Sequence, residues 1–120
     1  MAAESAGETE VSLEQGAELW SSGHAQLIDV RRDYEWDAGR IDGARHVEMN
    51  DIAGAAETIE RDRPVIFYCR SGNRSSLAAA AFREAGWEAY NLAGGLRAWA
   101  EKGLPIVPQD AKVADPLPGS

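Results

Sequence analysis

The sequence predicts an α/β domain in which a parallel sheet carries helices on both faces. Short apolar runs that end in polar residues, AQLIDV, ARHVEM and PVIFY, alternate with helix-patterned stretches, the arrangement that builds a parallel sheet covered by its crossover helices. The run RPVIFY passes through a polar loop, CRSGNRS, into the alanine-rich SLAAAAFREAG, a strand, loop and helix in succession. The length of 120 residues suffices for one core that buries roughly two-thirds of the unfolded surface, not for two.

Along the chain, MAAESAGETE is small and acidic, so positions 1–9 are expected to form a flexible tail before a domain spanning 10–108. Ser12, followed by Glu14 and Gln15, can cap a helix that turns Leu13, Ala17 and Leu19 or Trp20 inward and stops near Gly23. AQLIDV is the first strand and ARHVEM a second short one, with a helix expected around Asp51 to Thr58. The strand–loop–helix unit follows, then a strand candidate at Glu88 to Asn91. GGLRAWAEKG starts a last helix that ends at Gly103 before Pro105, with Leu96, Trp99 and Ala100 facing the core. Residues 109–120 mix prolines with polar residues and lack periodicity, so they are assigned to a second flexible tail.

Twenty acidic against twelve basic side chains give a formal charge of −8. Such a chain repels nucleic acid and anionic membrane surfaces, so any anionic substrate must be attracted locally. No stretch approaches the ~20 apolar residues that span a bilayer, and the expectation is a soluble cytoplasmic protein, monomeric or weakly dimeric. One cysteine, Cys69, forms no internal disulfide, and with His24 and His46 it supplies no zinc or iron–sulfur spacing. Neither metal nor organic cofactor is expected.

Cys69 stands where the strand PVIFY ends, the edge at which parallel sheets collect ligands. Arg70, Ser71, Gly72, Asn73 and Arg74 then lead into a helix, whose first amides lack intrahelical partners and can converge on an anion. Gly72 and Asn73 tolerate positive φ, which lets the loop curl its amides inward as a nest. Arg70 and Arg74, with the helix N-terminus, add positive charge, and all these effects favour thiolate over thiol. Ser71 and Ser75 can either cap the helix or hydrogen-bond the sulfur. The reading is a nucleophilic Cys69.

Three separated segments carry a resemblance. LIDVRRDYEWDAGRIDGARHVEM, YCRSGNRS and NLAGGLRAWAEKGLPI resemble the N-terminal signature, the six-residue active loop and the closing Gly-Gly-x-x-x-Trp segment of the rhodanese, or thiosulfate sulfurtransferase, family. The resemblance implies a rhodanese-like three-layer sandwich, with a central five-stranded parallel sheet and helices on both faces. It implies that Cys69 carries sulfur as a persulfide within a substrate-binding loop of Arg70, Ser71, Gly72, Asn73, Arg74 and Ser75. Asp29, Arg31 and Glu35 match polar positions of the N-terminal signature and are expected to be structural support, through a buried ion pair that fixes the loop.

The chemistry so implied moves sulfur from thiosulfate or a related donor to cyanide, a thiol or a sulfur-carrier protein. Two other readings compete. A cysteine phosphatase or arsenate reductase shares the thiolate in an amide cradle, but needs Cys-x5-Arg to wrap a tetrahedral oxyanion. Here Arg74 lies five positions after Cys69 and the sixth is Ser75, one residue too short. The other is a persulfide-relay or docking module that serves a partner enzyme rather than free thiosulfate.

Overall fold

A computed structural model describes residues 9–115. Five strands, β1 (Glu10–Val11), β2 (Gln26–Asp29), β3 (Arg45–His46), β4 (Val65–Tyr68) and β5 (Ala89–Leu92), form one sheet in the order β1-β5-β4-β2-β3. Every pairing is parallel. Four α-helices connect and cover them: α1 (Leu13–Ser22), α2 (Asp33–Ala38), α3 (Asn73–Glu84) and α4 (Gly95–Glu101). The expected α/β sandwich is the observed one.

The central strand shows why. All four residues of β4 are fully buried, and because successive side chains point to opposite faces, it feeds two cores at once. Val65 and Phe67 pack with Ile28, Ala78, Ala79, Phe82 and Trp87 beneath α3. Ile66 and Tyr68 pack with Leu27, Leu92, Leu96 and Trp99 beneath α1 and α4.

α1 begins as its sequence requires. Ser12 Oγ accepts from the Gln15 amide at 3.0 Å and Gln15 Oε1 accepts from the Ser12 amide at 3.2 Å, a reciprocal capping box. Gly23 closes the helix at φ 75°, its amide donating to Leu19 and Trp20 carbonyls, the left-handed cap that glycine supplies without strain. Trp99 donates its indole N–H to the Pro105 carbonyl at 2.8 Å and meets Trp20 edge-on at 5.5 Å.

Some expectations need correction. Residues 51–58 do not form one helix; two short 3-10 turns, Met49–Asp51 and Ala56–Thr58, stand there instead. Gly54 lies between them, and neither turn has a side-chain cap, so the segment lacks what nucleates and starts a longer helix. ARHVEM pairs only at Arg45–His46. α2 had no counterpart among the expected elements, since six residues are too few to display a helical period.

The described C-terminal residues 109–115 lie against the domain. Val107 and Arg40 exchange backbone hydrogen bonds, the Lys112 amide donates to Ala38, and Val113 packs partly buried against the α1/α4 core. Within this segment the apolar contact with that core is made by Val113, following Leu104 and Ile106 just upstream. Of the N-terminal tail, 1–8 lie outside the described residues, as do 116–120 at the other end. Among the described residues no helix is long and apolar enough to cross a membrane.

Candidate active site

The loop after β4 is built around Cys69. β4 ends at Tyr68, and α3 starts at Asn73 with Gly72 as its N-cap at φ 102° and ψ −3°. That conformation disfavours any Cβ, and it turns the Gly72 amide back to donate to Cys69 Sγ at 3.1 Å. Asn73 does not share it: no non-glycine residue among those described has positive φ, so Asn73 simply opens the helix. Ser75 Oγ lies 3.4 Å from the sulfur.

Burial pushes the Cys69 thiol up, but hydrogen bonds from the Ser75 hydroxyl and from the Ser75, Gly72 and Ser71 amides outweigh it, and the pKa falls below the ordinary thiol value. The Ser75 proton is contested, however. Its hydroxyl also donates to Asn91 Oδ1 at 2.5 Å, and one hydroxyl has one proton. The shorter bond has the stronger claim on it, so the firmest donor to the sulfur is the Gly72 amide.

The carbonyl side of the loop is held as tightly. The Leu96 amide donates to Cys69 O at 2.8 Å and the Arg97 amide to Arg70 O at 2.9 Å. Gly95, at φ 65°, lets α4 approach this closely: a Cβ there would sit 2.6 Å from both the Cys69 and Arg70 carbonyl oxygens. Gly95 and Asn91 therefore shape the site, and the sequence reading placed them only in a helix start and a strand. The signal was present in the Gly-Gly pair after a strand, which marks a close backbone approach.

The two loop arginines are arranged differently from the expectation. Arg74 makes a two-pronged ion pair with Glu35, at 2.8 and 2.9 Å, and Arg70 reaches the Asp115 carboxylate and the Ala114 carbonyl, both at 3.2 Å. Neither guanidinium is left to face the sulfur unopposed. The groups that lower the Cys69 pKa are a hydroxyl and neutral amides, while the carboxylates that meet the arginines come from 39 and 45 residues away, beyond the reach of local sequence reasoning.

Beneath the loop, Asp29 and Arg31 form a pair with no exposed side-chain surface, closed by contacts of 2.9 Å from Nε and 2.7 Å from Nη2. Arg31 Nη2 also donates to Gly39 O at 2.6 Å. Glu35, 1 % exposed, accepts from the Arg32 amide at 3.1 Å. Asp29 and Arg31 thus form one buried ion pair, and the buried Glu35 forms a second with Arg74, whose side chain is 37 % exposed; together they tie the ends of β2 and α2 to the start of α3.

A cleft of about 630 Å³ opens beside the loop, lined by Val30, Arg32, Tyr34, Met49, Ser71 and Asn73 among others. Cys69 is 1 % exposed and lies under the loop rather than in the lining. Two larger hollows, of about 770 and 740 Å³, lie away from it and hold no cysteine. At the cleft rim the fold brings Asp33, His46 and Glu48 together, with ligand atoms within 4.8 Å of one another, a grouping invisible in their spacing; Asp33 there is solvent-exposed.

Comparison with known proteins places this geometry. The model of the rhodanese-like domain matches residues 12–102. A sulfurtransferase of Allochromatium vinosum is 43 % identical over 82 residues, covering 68 % of this chain and 77 % of that protein. Thiosulfate sulfurtransferase GlpE of Pseudomonas aeruginosa is 33 % identical over 90 residues, covering 74 % and 81 %. Matches to the first curated relatives span 63 % to 81 % of their own lengths. The crystal structure of a rhodanese-related protein from Thermoplasma volcanium superposes with a TM-score of 0.75 at 25 % identity, over 82 % of this chain and 97 % of that one. With the family match running from the capped start of α1 to the end of α4, the chain belongs to the rhodanese-like domain family.

Proposed function

We propose that this chain is a sulfurtransferase that carries sulfane sulfur as a persulfide on Cys69. The observation that carries the reading is the Gly72 amide 3.1 Å from a sulfur whose thiol is held below its ordinary pKa. The thiolate attacks the outer sulfur of thiosulfate; the S–S bond breaks, and its electron pair leaves on sulfite. An acceptor, cyanide in an assay or a thiol or sulfur-carrier protein in the cell, then attacks the terminal sulfur, and Cys69 leaves as thiolate. Two half-reactions on one sulfur give ping-pong kinetics. Sulfur supplies both electrophile and leaving group, so the scheme needs no metal or organic cofactor.

Attack requires reacting atoms ~3–3.5 Å apart, and Cys69 is 1 % exposed, so a donor reaches it only when the residues that cover it move aside. Asp29, Arg31 and Glu35 act in this reading as support that fixes β2, α2 and α3 around the loop. Arg70, Ser71, Gly72, Asn73, Arg74 and Ser75 bind the donor. The test is intact mass after incubation with thiosulfate: a gain of one sulfur atom, removed by cyanide and absent in Cys69→Ser, is expected. A chain that gains nothing from thiosulfate or any other persulfide donor is not a transferase.

The phosphatase alternative fares badly on geometry, since Arg74 is one position early and its fork is engaged by Glu35. Hydrolysis of an aryl phosphate is expected to be negligible.

A further inference from the structure

We infer that Asp115, in the C-terminal segment, is a positioning residue that sets which donors the cleft accepts, by holding the Arg70 guanidinium and opposing its charge. The inference rests on the sulfurtransfer reading and names the substrate class it favours: donors of low negative charge over dianions such as thiosulfate.

The contacts form a bridge across one side of the cleft. Arg70 donates from Nε to Ala114 O and from Nη2 to Asp115 Oδ1, both at 3.2 Å. Tyr34, which lines the same cleft from α2, donates its hydroxyl to Asp115 O at 3.3 Å. The segment is anchored upstream by the Lys112 amide on Ala38 O at 2.9 Å. Gly39 is what admits it, because a Cβ on Gly39 would collide with the Lys112 backbone. Of these residues, Lys112, Ala114 and Asp115 lie beyond 102, where the family match ends.

Electrostatics gives the consequence. Arg74 is already paired with Glu35, so Arg70 is the loop cation with charge to offer a donor, and Asp115 competes for it. The competition is soft. Arg70 is 21 % and Asp115 91 % exposed in their side chains, and exposed pairs of this kind alter affinities by roughly two- to fivefold. A dianion must displace the carboxylate, whereas an uncharged donor has no reason to.

The test uses the full chain with Asp115→Asn, and Asp110→Asn as the control that removes an acid from the same segment without touching Arg70. Two readouts are taken at low ionic strength: the KM and kcat for thiosulfate, and the rate of Cys69 alkylation by iodoacetate relative to iodoacetamide. The second ratio needs no sulfur transfer and cancels any change in how readily the loop opens. Asp115→Asn is expected to lower the thiosulfate KM about two- to fivefold with kcat little changed, and to raise the alkylation ratio in the same sense. Asp115→Glu should restore both, Arg70→Gln should abolish the effect of Asp115→Asn, and added salt should shrink it. An unchanged ratio, or the same change in the Asp110→Asn or Arg70→Gln backgrounds, overturns the role of Asp115. If the ratio responds while no form takes sulfur from thiosulfate, Asp115 still governs the field at Cys69 and it is the thiosulfate reading that fails.

Discussion

Substituting Gly95 with alanine tests whether the approach of α4 holds the active loop. The new methyl meets two penalties. At φ 65° a residue with a Cβ is disfavoured by about 1–2 kcal/mol, and that methyl would stand 2.6 Å from the Cys69 and Arg70 carbonyl oxygens. Relief requires α4 to retreat, which weakens the bonds from Leu96 and Arg97 to those carbonyls, each contributing about 0.5–1.5 kcal/mol. The sum is roughly 2–5 kcal/mol. Gly43 supplies the control: its φ is 86° but nothing lies within 4 Å of a Cβ there, so Gly43→Ala carries only the conformational part. With a urea slope of about 1–3 kcal/mol per M, Gly95→Ala should lower the unfolding midpoint by roughly 1–2 M and Gly43→Ala by about half that or less. Urea titration followed by tryptophan fluorescence reads both. The iodoacetamide rate at Cys69, measured without denaturant, should change in Gly95→Ala alone. Equal midpoints for the two variants, with unchanged alkylation, would falsify the claim that α4 clamps the loop.

Other perturbations follow from the same geometry. The pH profile of Cys69 alkylation should have its midpoint below that of an ordinary thiol, because donors to the sulfur outweigh burial. Ser75→Ala should raise that midpoint slightly, and a large rise would show that its proton belongs to the sulfur rather than to Asn91. Asp29→Asn leaves Arg31 buried beside a neutral partner and should destabilise by about 3–5 kcal/mol; a denaturation midpoint within error of the parent's would mean the pair is idle. Burial pushes the Glu35 carboxyl up, but the Arg74 fork, the Arg32 amide and the charges of Arg74 and Arg31 outweigh it and hold it below the usual 4.5. A depressed carboxyl stabilises the fold above its unfolded pKa, and that contribution is lost as pH falls through the lower folded value. Thermal stability should therefore drop below about pH 4.5, and Glu35→Gln should be less stable at neutral pH with a flatter acid limb.

Local rules made part of this molecule readable in advance. The capping box at Ser12 and Gln15, the left-handed cap at Gly23 and the strand–loop–helix unit around Cys69 each depend on residues a few positions apart, and the structure forms all three. The positive φ of Gly72 belongs to the same class. What local rules miss is pairing over distance. Nothing near Arg74 announces Glu35, nothing near Arg70 announces Asp115, and Ser75 meets Asn91 only because β5 lies beside β4 in the sheet. The C-terminal segment misleads for another reason: its prolines and polar residues match the composition of a tail, yet Val113 packs on the α1/α4 core and the Lys112 amide bonds Ala38 O.

The pairing of both arginines with carboxylates bears on how the cradle could work as a relay. A thiolate stabilised by a full opposing charge has a strongly depressed pKa, and its nucleophilicity falls with it, with a Brønsted slope of about 0.4–0.5. That would slow attack on the donor. In the second half-reaction of the proposed transfer the same sulfur would be the leaving group, and there a lower pKa speeds departure. One sulfur must serve both steps, so neither extreme suits it. Amide dipoles aimed at Sγ, with the Arg74 charge drawn off by Glu35, give an intermediate setting. They also need no counter-ion to move as charge on the sulfur comes and goes. On this argument Glu35 is more than scaffolding: Glu35→Gln should release the Arg74 charge toward Cys69, lower the thiol pKa further, and slow attack on thiosulfate at saturating pH while speeding release to cyanide. Single-turnover measurements of the two half-reactions separate these effects, and rates that move in the same direction would refute the compromise.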